Sequence, residues 1–301
     1  MSQDHKDNLH HLPQGSAATR PQMVGIHKMI PNMLTLMALI AGVTSIQKAI
    51  NEQYDVAVLM LLASAILDTL DGAAARALKS QSEFGAQLDS LSDFLAFGVA
   101  PSLLLYEWVL DDAGKLGWIA TIILPVAAAL RLARFNVMAK TADDLPAWKK
   151  GYFSGVPAPA GAGLALLPVY IWFLMDPQTF TAFRFANPLI AFWAIFVAAL
   201  MVSRIPTFSF KKIHVPSRMA IPVMALLGCI IAAMIHAPWV MLTLISLVYL
   251  VSMPIVFARY RRKEQEYQGQ KEDLSSLAFG ITSFDPLAEP DDTVDHDKTV
   301  I

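Results

Sequence analysis

The sequence contains few cysteines and few charged residues. Cys229 is the only cysteine among 301 residues, which excludes an intramolecular disulfide framework, a cysteine-ligated zinc cluster and a redox pair. Charged residues make up 16% of the chain, whereas soluble domains carry roughly 25%. Hydrophobic residues make up 55%, and the mean hydropathy is +0.47. This composition excludes an ordinary soluble domain and predicts a membrane protein.

The two ends of the chain differ in character from its middle. Residues 1–27 are polar and lack the short basic start and early apolar core of a secretory signal, so we expect no cleavage. The net charge of -2 sums a basic membrane-proximal set and an acidic tail. We therefore predict a polar cytoplasmic N-terminal segment (1–27), a transmembrane bundle (28–258) and a polar, acidic, disordered C-terminal tail (259–301).

Long apolar segments fill the middle of the chain. Each is long enough to cross a hydrocarbon core, which takes about 17 to 25 helical residues. None alternates like a barrel strand, and lipid leaves backbone groups unsatisfied unless the segment is helical. We predict an all-α, polytopic helical bundle with a six-helix core and about two further spans. The predicted segments are 31–50, 54–76, 84–110, 115–138, 155–175, 187–204, 217–235 and 238–258.

Basic residues are distributed unevenly between the ends of these segments. Most, such as Arg76 and Arg259, fall at one set of alternating ends, and only Lys48, Lys115 and Arg184 fall at the other. Because basic loops stay in the cytoplasm, this asymmetry predicts that both termini are cytoplasmic. We expect a multi-pass protein of the bacterial inner membrane.

Four aspartates lie inside or at the edges of two apolar segments: Asp68, Asp71, Asp89 and Asp93. An unpaired carboxylate in such surroundings costs several kcal/mol, so a compensating partner is expected. The i,i+3 and i,i+4 spacings place each pair on one face of its helix. Two helices therefore present two carboxylate pairs to each other, at the cytoplasmic end of the bundle.

Clustered carboxylates without nearby His or Cys form an all-oxygen site. Such a site suits Mg²⁺ or Mn²⁺ and disfavours zinc and copper, and two cations fit four carboxylates. A pair of such ions can hold a diphosphate and stabilise charge on the entering and leaving oxygens of a phosphoryl-type displacement. Gly72 and Gly85 flank the aspartates and leave room for a nucleotide, and Arg76 can reach a phosphate oxygen.

Two other interpretations of the aspartates stay open. They can pair with Arg76, Arg131 and Arg134 to hold the bundle together, although structural pairing requires neither the two glycines nor this spacing. An ion-coupled transporter also uses intramembrane acids. Here the acids crowd one end of the bundle, and no interrupted half-helices appear in matching halves of the sequence.

The spacing of the aspartates resembles a known motif. The pattern Asp68-x2-Asp71-Gly72-x2-Ala75-Arg76-x8-Gly85-x3-Asp89-x3-Asp93 fills every fixed position of the motif of the CDP-alcohol phosphatidyltransferase family. Further segments resemble the phosphatidylserine synthase branch of that family, and the resemblance covers about residues 28–255. These segments are 30–32 with Thr35, 82–85, 88–93, 97–101, 131–136 and 155–160.

The resemblance implies a reaction and a set of partners. Members of this family move a substituted phosphoryl group from a CDP-linked lipid or alcohol to an acceptor hydroxyl and release CMP, usually as homodimers. The branch implies CDP-diacylglycerol and L-serine as substrates, within membrane lipid and without nucleic acid. It also implies that Asp68, Asp71 and Asp89 are metal ligands, and that Asp93 is a ligand to a second metal and the general base.

The donor and the acceptor are expected to contact different residues. Asn32 and Thr35 can donate hydrogen bonds to the nucleotide, or can equally cap or tie the first helix. The expected CDP-lipid-binding residues are Gly72, Ala75, Arg76, Gly85, Asn32 and Thr35.

Acceptor choice lies outside the aspartate motif. Arg131, Arg134 and Asn136 are expected to bind the donor phosphate or the carboxylate of serine, although the positive-inside rule alone can place arginines there. Because the motif recognises only the CDP half, glycerol phosphate, inositol phosphate and choline stay open as alternative acceptors.

Overall fold

The computed structural model describes residues 29–140, 152–175, 187–203, 205–208 and 219–282. It confirms the predicted all-α, polytopic fold: each predicted apolar segment coincides with one helix or with a pair of consecutive helices. The predicted N-terminal segment and Arg184 lie outside the described residues. The helices are α1 (Ile30–Ile50), α2 (Tyr54–Ala77), α3 (Glu83–Phe94), α4 (Ala100–Leu105), α5 (Gly114–Lys140), α6 (Ala158–Ala165), α7 (Leu167–Leu174), α8 (Asn187–Val202), α9 (Ala220–His236) and α10 (Pro238–Thr282), and the two short strands are β1 (Tyr152–Ser154) and β2 (Pro206–Phe208).

Four helical runs of the described chain are long and apolar enough to cross a membrane: Ile30–Ile50, Tyr54–Ala77, Glu83–Met138 and Pro238–Gln268. The third has 56 residues and would be about 84 Å long if straight, far more than a hydrocarbon core of about 30 Å. At Gly114, where φ is +57°, the chain turns so that α5 packs back against α4. This run therefore supplies two crossings, and the protein is a multi-pass membrane protein.

Helices α1 and α2 form a tightly packed hairpin, the scaffold of the first aspartate pair. Ser45 Oγ donates to the carbonyl of Ala57, and Ser64 Oγ donates to the carbonyl of Ala38, each at 2.8 Å. Small side chains at these crossings let the two backbones approach, and the hydroxyls supply hydrogen bonds that lipid cannot. The hairpin holds α2 in a fixed rotation, with Asp71 facing inward.

A π-helical stretch (residues 95–99) follows α3 directly. Pro101, in the first turn of α4, has no N–H to donate to the carbonyl four residues earlier, so the regular α-helical bonding pattern cannot continue through this point. Gly98 lies here against α5, and a Cβ on it would come within 2.9 Å of Ala128 Cβ. The second aspartate pair, on α3, therefore lies just before a close contact between this π-helical stretch and α5.

A two-stranded antiparallel sheet joins the segments that flank α6 and α8, with Tyr152 opposite Phe208 and Ser154 opposite Pro206. Gly155 follows β1 with φ +81°, and a Cβ there would come within 2.5 Å of the carbonyl oxygen of Met201. Only glycine fits this position, because both the backbone angle and the space exclude a side chain.

The C-terminal segment differs from the prediction. The sequence predicts disorder from residue 259 onward, whereas α10 continues as one helix to Thr282. The sequence beyond the apolar span is rich in Arg, Lys, Glu and Gln, which are strong helix formers, and Arg262 pairs with Glu266 one turn later at 3.3 Å. Residues 283–301 lie outside the described ranges.

Candidate metal and nucleotide site

The structure brings the four aspartates together between α2 and α3. Oxygen atoms of Asp68, Asp71 and Asp89 all lie within 4.8 Å of one another. Asp93, one turn beyond Asp89, lies within hydrogen-bonding reach of Asp68. The predicted meeting of two carboxylate pairs is therefore present in the fold.

This donor set fits a divalent cation. Carboxylates this close repel one another unless protons or cations lie between them, and the repulsion is strong where water is scarce. Every ligand atom offered is a carboxylate oxygen, which is the donor that Mg²⁺ and Mn²⁺ prefer. In addition, Asp93 Oδ1 is buried and has no hydrogen-bond partner among the described residues. A hard cation would satisfy both the repulsion and this unpaired oxygen.

Helix α1 supports the cluster through Thr35. This buried threonine donates a hydrogen bond from Oγ1 to Asp71 Oδ2 at 2.5 Å, and its hydroxyl also lies 3.1 Å from the carbonyl of Pro31. Its own carbonyl accepts a bond from Ser92 Oγ at 3.3 Å. Thr35 therefore ties α1 to both aspartate-bearing helices, and it orients one of the carboxylates.

A cavity of about 270 Å³ opens beside Asp71 and Asp89. Among the described residues that line it, these two aspartates are the only charged ones, and the other lining side chains are small or polar. The lining residues are Pro31, Asn32, Thr35, Asp71, Gly72, Ala75, Ser80, Gln81, Ser82, Gly85, Ala86 and Asp89.

Most of the predicted CDP-lipid-binding residues line this cavity, but its two glycines have a different immediate role. A Cβ on Gly85 would lie 2.9 Å from Asn32 Oδ1 and 3.0 Å from Ser82 Oγ, so the missing side chain makes room for Asn32 rather than for a ligand. A Cβ on Gly72 would lie 3.4 Å from an Arg76 guanidinium nitrogen. Arg76 itself is exposed and does not line the cavity.

The three predicted acceptor residues have distinct surroundings. Arg131 is partly buried and lies close enough to Asp93 for electrostatic interaction. Arg134 instead donates from one guanidinium nitrogen to the carbonyls of Val202, at 2.8 Å, and Ser203, at 3.4 Å, at the end of α8.

Asn136, the third of these residues, joins two helices. Its Nδ2 donates to Ser90 Oγ at 3.0 Å, which links α5 to α3 between Asp89 and Asp93. Of the three, Arg131 is the one whose charge interacts with an aspartate of the cluster.

The segment between α2 and α3 contributes to the lining of the cavity, a role that the sequence did not predict. Ser80, Gln81 and Ser82 all line it, and Ser82 Oγ caps α3 by accepting from the N–H of Gly85 at 3.0 Å. A serine just before a helix is a recognisable N-cap. Such a pattern can indicate where a helix begins, but it does not indicate that the preceding turn faces a cavity.

The sequence matches two protein-family descriptions: CDP-alcohol phosphatidyltransferase over residues 28–205, and CDP-alcohol phosphatidyltransferase 2 over residues 218–254. It is also similar to curated proteins named CDP-diacylglycerol–serine O-phosphatidyltransferase. The protein from Mycobacterium leprae (strain TN) is 36% identical over 236 residues, which is 78% of this chain and 76% of that protein.

Relatives from other genera carry the same name. The protein from Helicobacter pylori (strain ATCC 700392 / 26695) is 34% identical over 209 residues, 69% of this chain and 84% of that protein. The protein from Bacillus subtilis (strain 168) is 33% identical over 184 residues, 61% of this chain and 92% of that protein. The first family match contains all four aspartates and the whole cavity. The chain belongs to the CDP-alcohol phosphatidyltransferase family.

Proposed function

We propose that this protein transfers the phosphatidyl group of CDP-diacylglycerol to the hydroxyl of L-serine, producing phosphatidylserine and CMP. The observation that carries the proposal is the carboxylate cluster of Asp68, Asp71 and Asp89, whose oxygens lie within 4.8 Å of one another beside a cavity lined by small and polar residues. The names of the relatives from three genera supply the donor and the acceptor.

Asp68, Asp71 and Asp89 would hold one divalent cation, Mg²⁺ or Mn²⁺, and Asp93 would contribute to a second. When bound, such ions neutralise the diphosphate and stabilise charge on the entering and leaving oxygens. Thr35 keeps Asp71 oriented for this role, because its hydroxyl donates to one oxygen of that carboxylate.

Asp93 is proposed as the general base. With its unpaired Oδ1 available to the second cation, Asp93 can accept the proton of the serine hydroxyl on its other carboxylate oxygen, as the hydroxyl oxygen forms a bond to the phosphorus of the phosphatidyl group. The bond between this phosphorus and the bridging oxygen of the diphosphate breaks, and the electron pair leaves with CMP. The reaction is thus a balanced substitution at phosphorus, in which Asp93 receives the proton.

Arg131 would bind the carboxylate of serine. Its guanidinium interacts electrostatically with Asp93, and the paired N–H groups of a planar guanidinium can donate to both oxygens of a carboxylate. Arg134 and Asn136 become positioning residues: the first holds the end of α8 and the second holds α3 against α5. Gly72, Ala75, Gly85 and Asn32 line the donor cavity.

The proposal includes an orientation and an assembly. Both termini and the aspartate cluster face the cytoplasm of a bacterial cell, where serine is available, and two copies form a homodimer in the inner membrane. The orientation rests on the uneven distribution of Lys and Arg along the sequence, and the homodimer rests on the family resemblance.

The function is tested with purified protein in vesicles that contain CDP-diacylglycerol and Mg²⁺ or Mn²⁺. Serine, glycerol phosphate, inositol phosphate and choline are supplied one at a time, and CMP and lipid products are measured. We expect rapid CMP release when serine is the acceptor and little release with the other three compounds. Release with another acceptor and none with serine would keep the chemistry and reject the acceptor, and ion flux without CMP would indicate a transporter.

A further inference from the structure

Ser80 is a buried polar residue with no assigned role. The residue is only 8% exposed, and its Oγ is buried without a hydrogen-bond partner among the described residues. The same side chain lines the cavity beside the aspartates. A buried hydroxyl is normally hydrogen-bonded, so its unmatched state in the protein alone points to a ligand atom.

The turn between α2 and α3 fixes where this hydroxyl lies. The N–H of Ser80 donates to the carbonyl of Ala75 at 3.0 Å, and the N–H of Lys79 donates to the carbonyl of Arg76 at 3.3 Å, with Lys79 at φ +49°. These two bonds and the left-handed residue form a Schellman motif that ends α2. The backbone N–H of Ser80 is therefore occupied, and its hydroxyl is the group that it offers to the cavity.

The two ends of the cavity differ in charge. Asp71 and Asp89 are at one end, whereas Ser80, Gln81 and Ser82 are neutral. Ser82, the N-cap of α3, and Asp89 are seven residues apart, which corresponds to about 10 Å along a helix. If the diphosphate lies at the carboxylates, the nucleoside reaches the neutral end.

We propose that Ser80 is a specificity-determining residue whose Oγ hydrogen-bonds the nucleoside half of the nucleotide-linked donor. This rests on the proposed function only in taking the donor to be a nucleoside diphosphate lipid. A neutral hydroxyl matches the polar edge of a base or a ribose hydroxyl, both of which donate and accept. The N-terminus of α3 lies next to it, but Ser82 Oγ already accepts from the N–H of Gly85 there.

The test is binding of CMP to Ser80→Ala, measured by calorimetry with Mg²⁺ and without serine. We expect the affinity for CMP to fall about tenfold, the usual effect of losing one hydrogen bond to a buried group. Pyrophosphate, measured as a competitor, should bind as it does to the wild type. UMP and 2′-deoxyCMP then separate the two sources: loss of discrimination against UMP indicates the base, and loss of discrimination against 2′-deoxyCMP indicates the ribose.

Two results would overturn the inference: unchanged CMP affinity, or an equal fall for CMP and pyrophosphate, which would make Ser80 a phosphate contact. Thermal stability without ligand should be unchanged or slightly higher in Ser80→Ala, because no protein hydrogen bond is lost. A marked loss of stability would instead indicate a structural serine. If Ser80→Ala does not fold, Ser80→Cys takes the same test, since it keeps the volume and donates weakly.

Ser102→Ala is the matched control. Ser102 is a buried serine outside the cavity whose Oγ donates to the carbonyl of Val99, one turn earlier, so CMP affinity should not change. Because this assay requires no phosphatidyl transfer to serine, its outcome does not depend on the proposed acceptor. A protein that makes phosphatidylserine but binds CMP equally well without the Ser80 hydroxyl refutes only the further inference.

Discussion

Thr35 on α1 donates a hydrogen bond to Asp71 on α2, with 2.5 Å between Thr35 Oγ1 and Asp71 Oδ2. The two residues are 36 positions apart and both are buried. A short bond from a hydroxyl to a carboxylate is charge-assisted and stronger than a neutral one. The first helix therefore helps to set the geometry of the aspartate cluster, although it contributes no aspartate to it.

Replacing Thr35 with Val tests this support. Val keeps the shape and removes the hydroxyl, so Asp71 loses its orienting partner and we expect turnover to fall about tenfold. The apparent affinity for Mg²⁺, measured from the metal dependence of CMP release, should weaken by a similar factor. Thr44→Val is the control on the same helix, because Thr44 Oγ1 bonds only the carbonyl of Ile40 in its own backbone. Equal metal dependence of both variants would contradict a supporting role for Thr35.

Metal dependence is the second prediction. Excess chelator should abolish CMP release, and Mg²⁺ or Mn²⁺ should restore it, because adjacent carboxylates and a diphosphate repel one another without cations. The thermal midpoint should rise with metal in the wild type and not in Asp71→Asn. Asp55→Asn, at the exposed start of the same helix, should keep the metal-dependent rise. Full activity in chelator would reject the metal site.

The aspartate pairs could be predicted from the sequence because they depend on short spacings along the chain. Spacings of three and four residues place carboxylates on one face whatever the rest of the chain does. The bond between Thr35 and Asp71 joins separate helices, so the sequence alone could not distinguish a nucleotide contact from a tie between helices.

The roles proposed for Arg134 and Ser80 depend on three-dimensional contacts that sequence patterns do not encode. Both the positive-inside rule and a phosphate site predict arginines at a cytoplasmic helix end. The structure adds that Arg134 donates to the carbonyls of Val202 and Ser203, and this contact supports our proposal that it is a positioning residue. Ser80 was missed because the turn before it has Lys79 in the left-handed region, where glycine or asparagine is the usual indicator.

The two arginines on α5 give a third prediction. Arg131→Lys should raise the KM for serine about tenfold or more and leave the KM for CDP-diacylglycerol within about twofold, because an ammonium cannot reproduce the guanidinium fork. Arg134→Lys is the matched change one turn away, and its ammonium can still donate to the carbonyl of Val202. If only the KM for CDP-diacylglycerol rises, Arg131 binds the donor phosphate and not the carboxylate of serine.

The orientation in the membrane is the fourth prediction. In a Cys229→Ser background, a cysteine at Asp112 or at Gln178, the second of which lies outside the described residues, should react with an impermeant reagent on intact cells. A cysteine at Gln265 should react only after permeabilisation. The parent without cysteine controls for background labelling. The reverse pattern would place the aspartates outside the cell.

The most direct test of the central claim counts CMP and phosphatidylserine in one purified preparation, for the wild type and for Asp93→Asn. The account predicts one CMP per phosphatidylserine in the wild type, strictly dependent on serine. Asp93→Asn should reduce turnover by about a hundredfold or more while leaving the binding of CDP-diacylglycerol largely intact, because a lost base affects the transition state more than the ground state. Asp111→Asn, on the turn before α5, serves as the control. CMP release without serine, or an Asp93→Asn variant with wild-type turnover, would contradict the account.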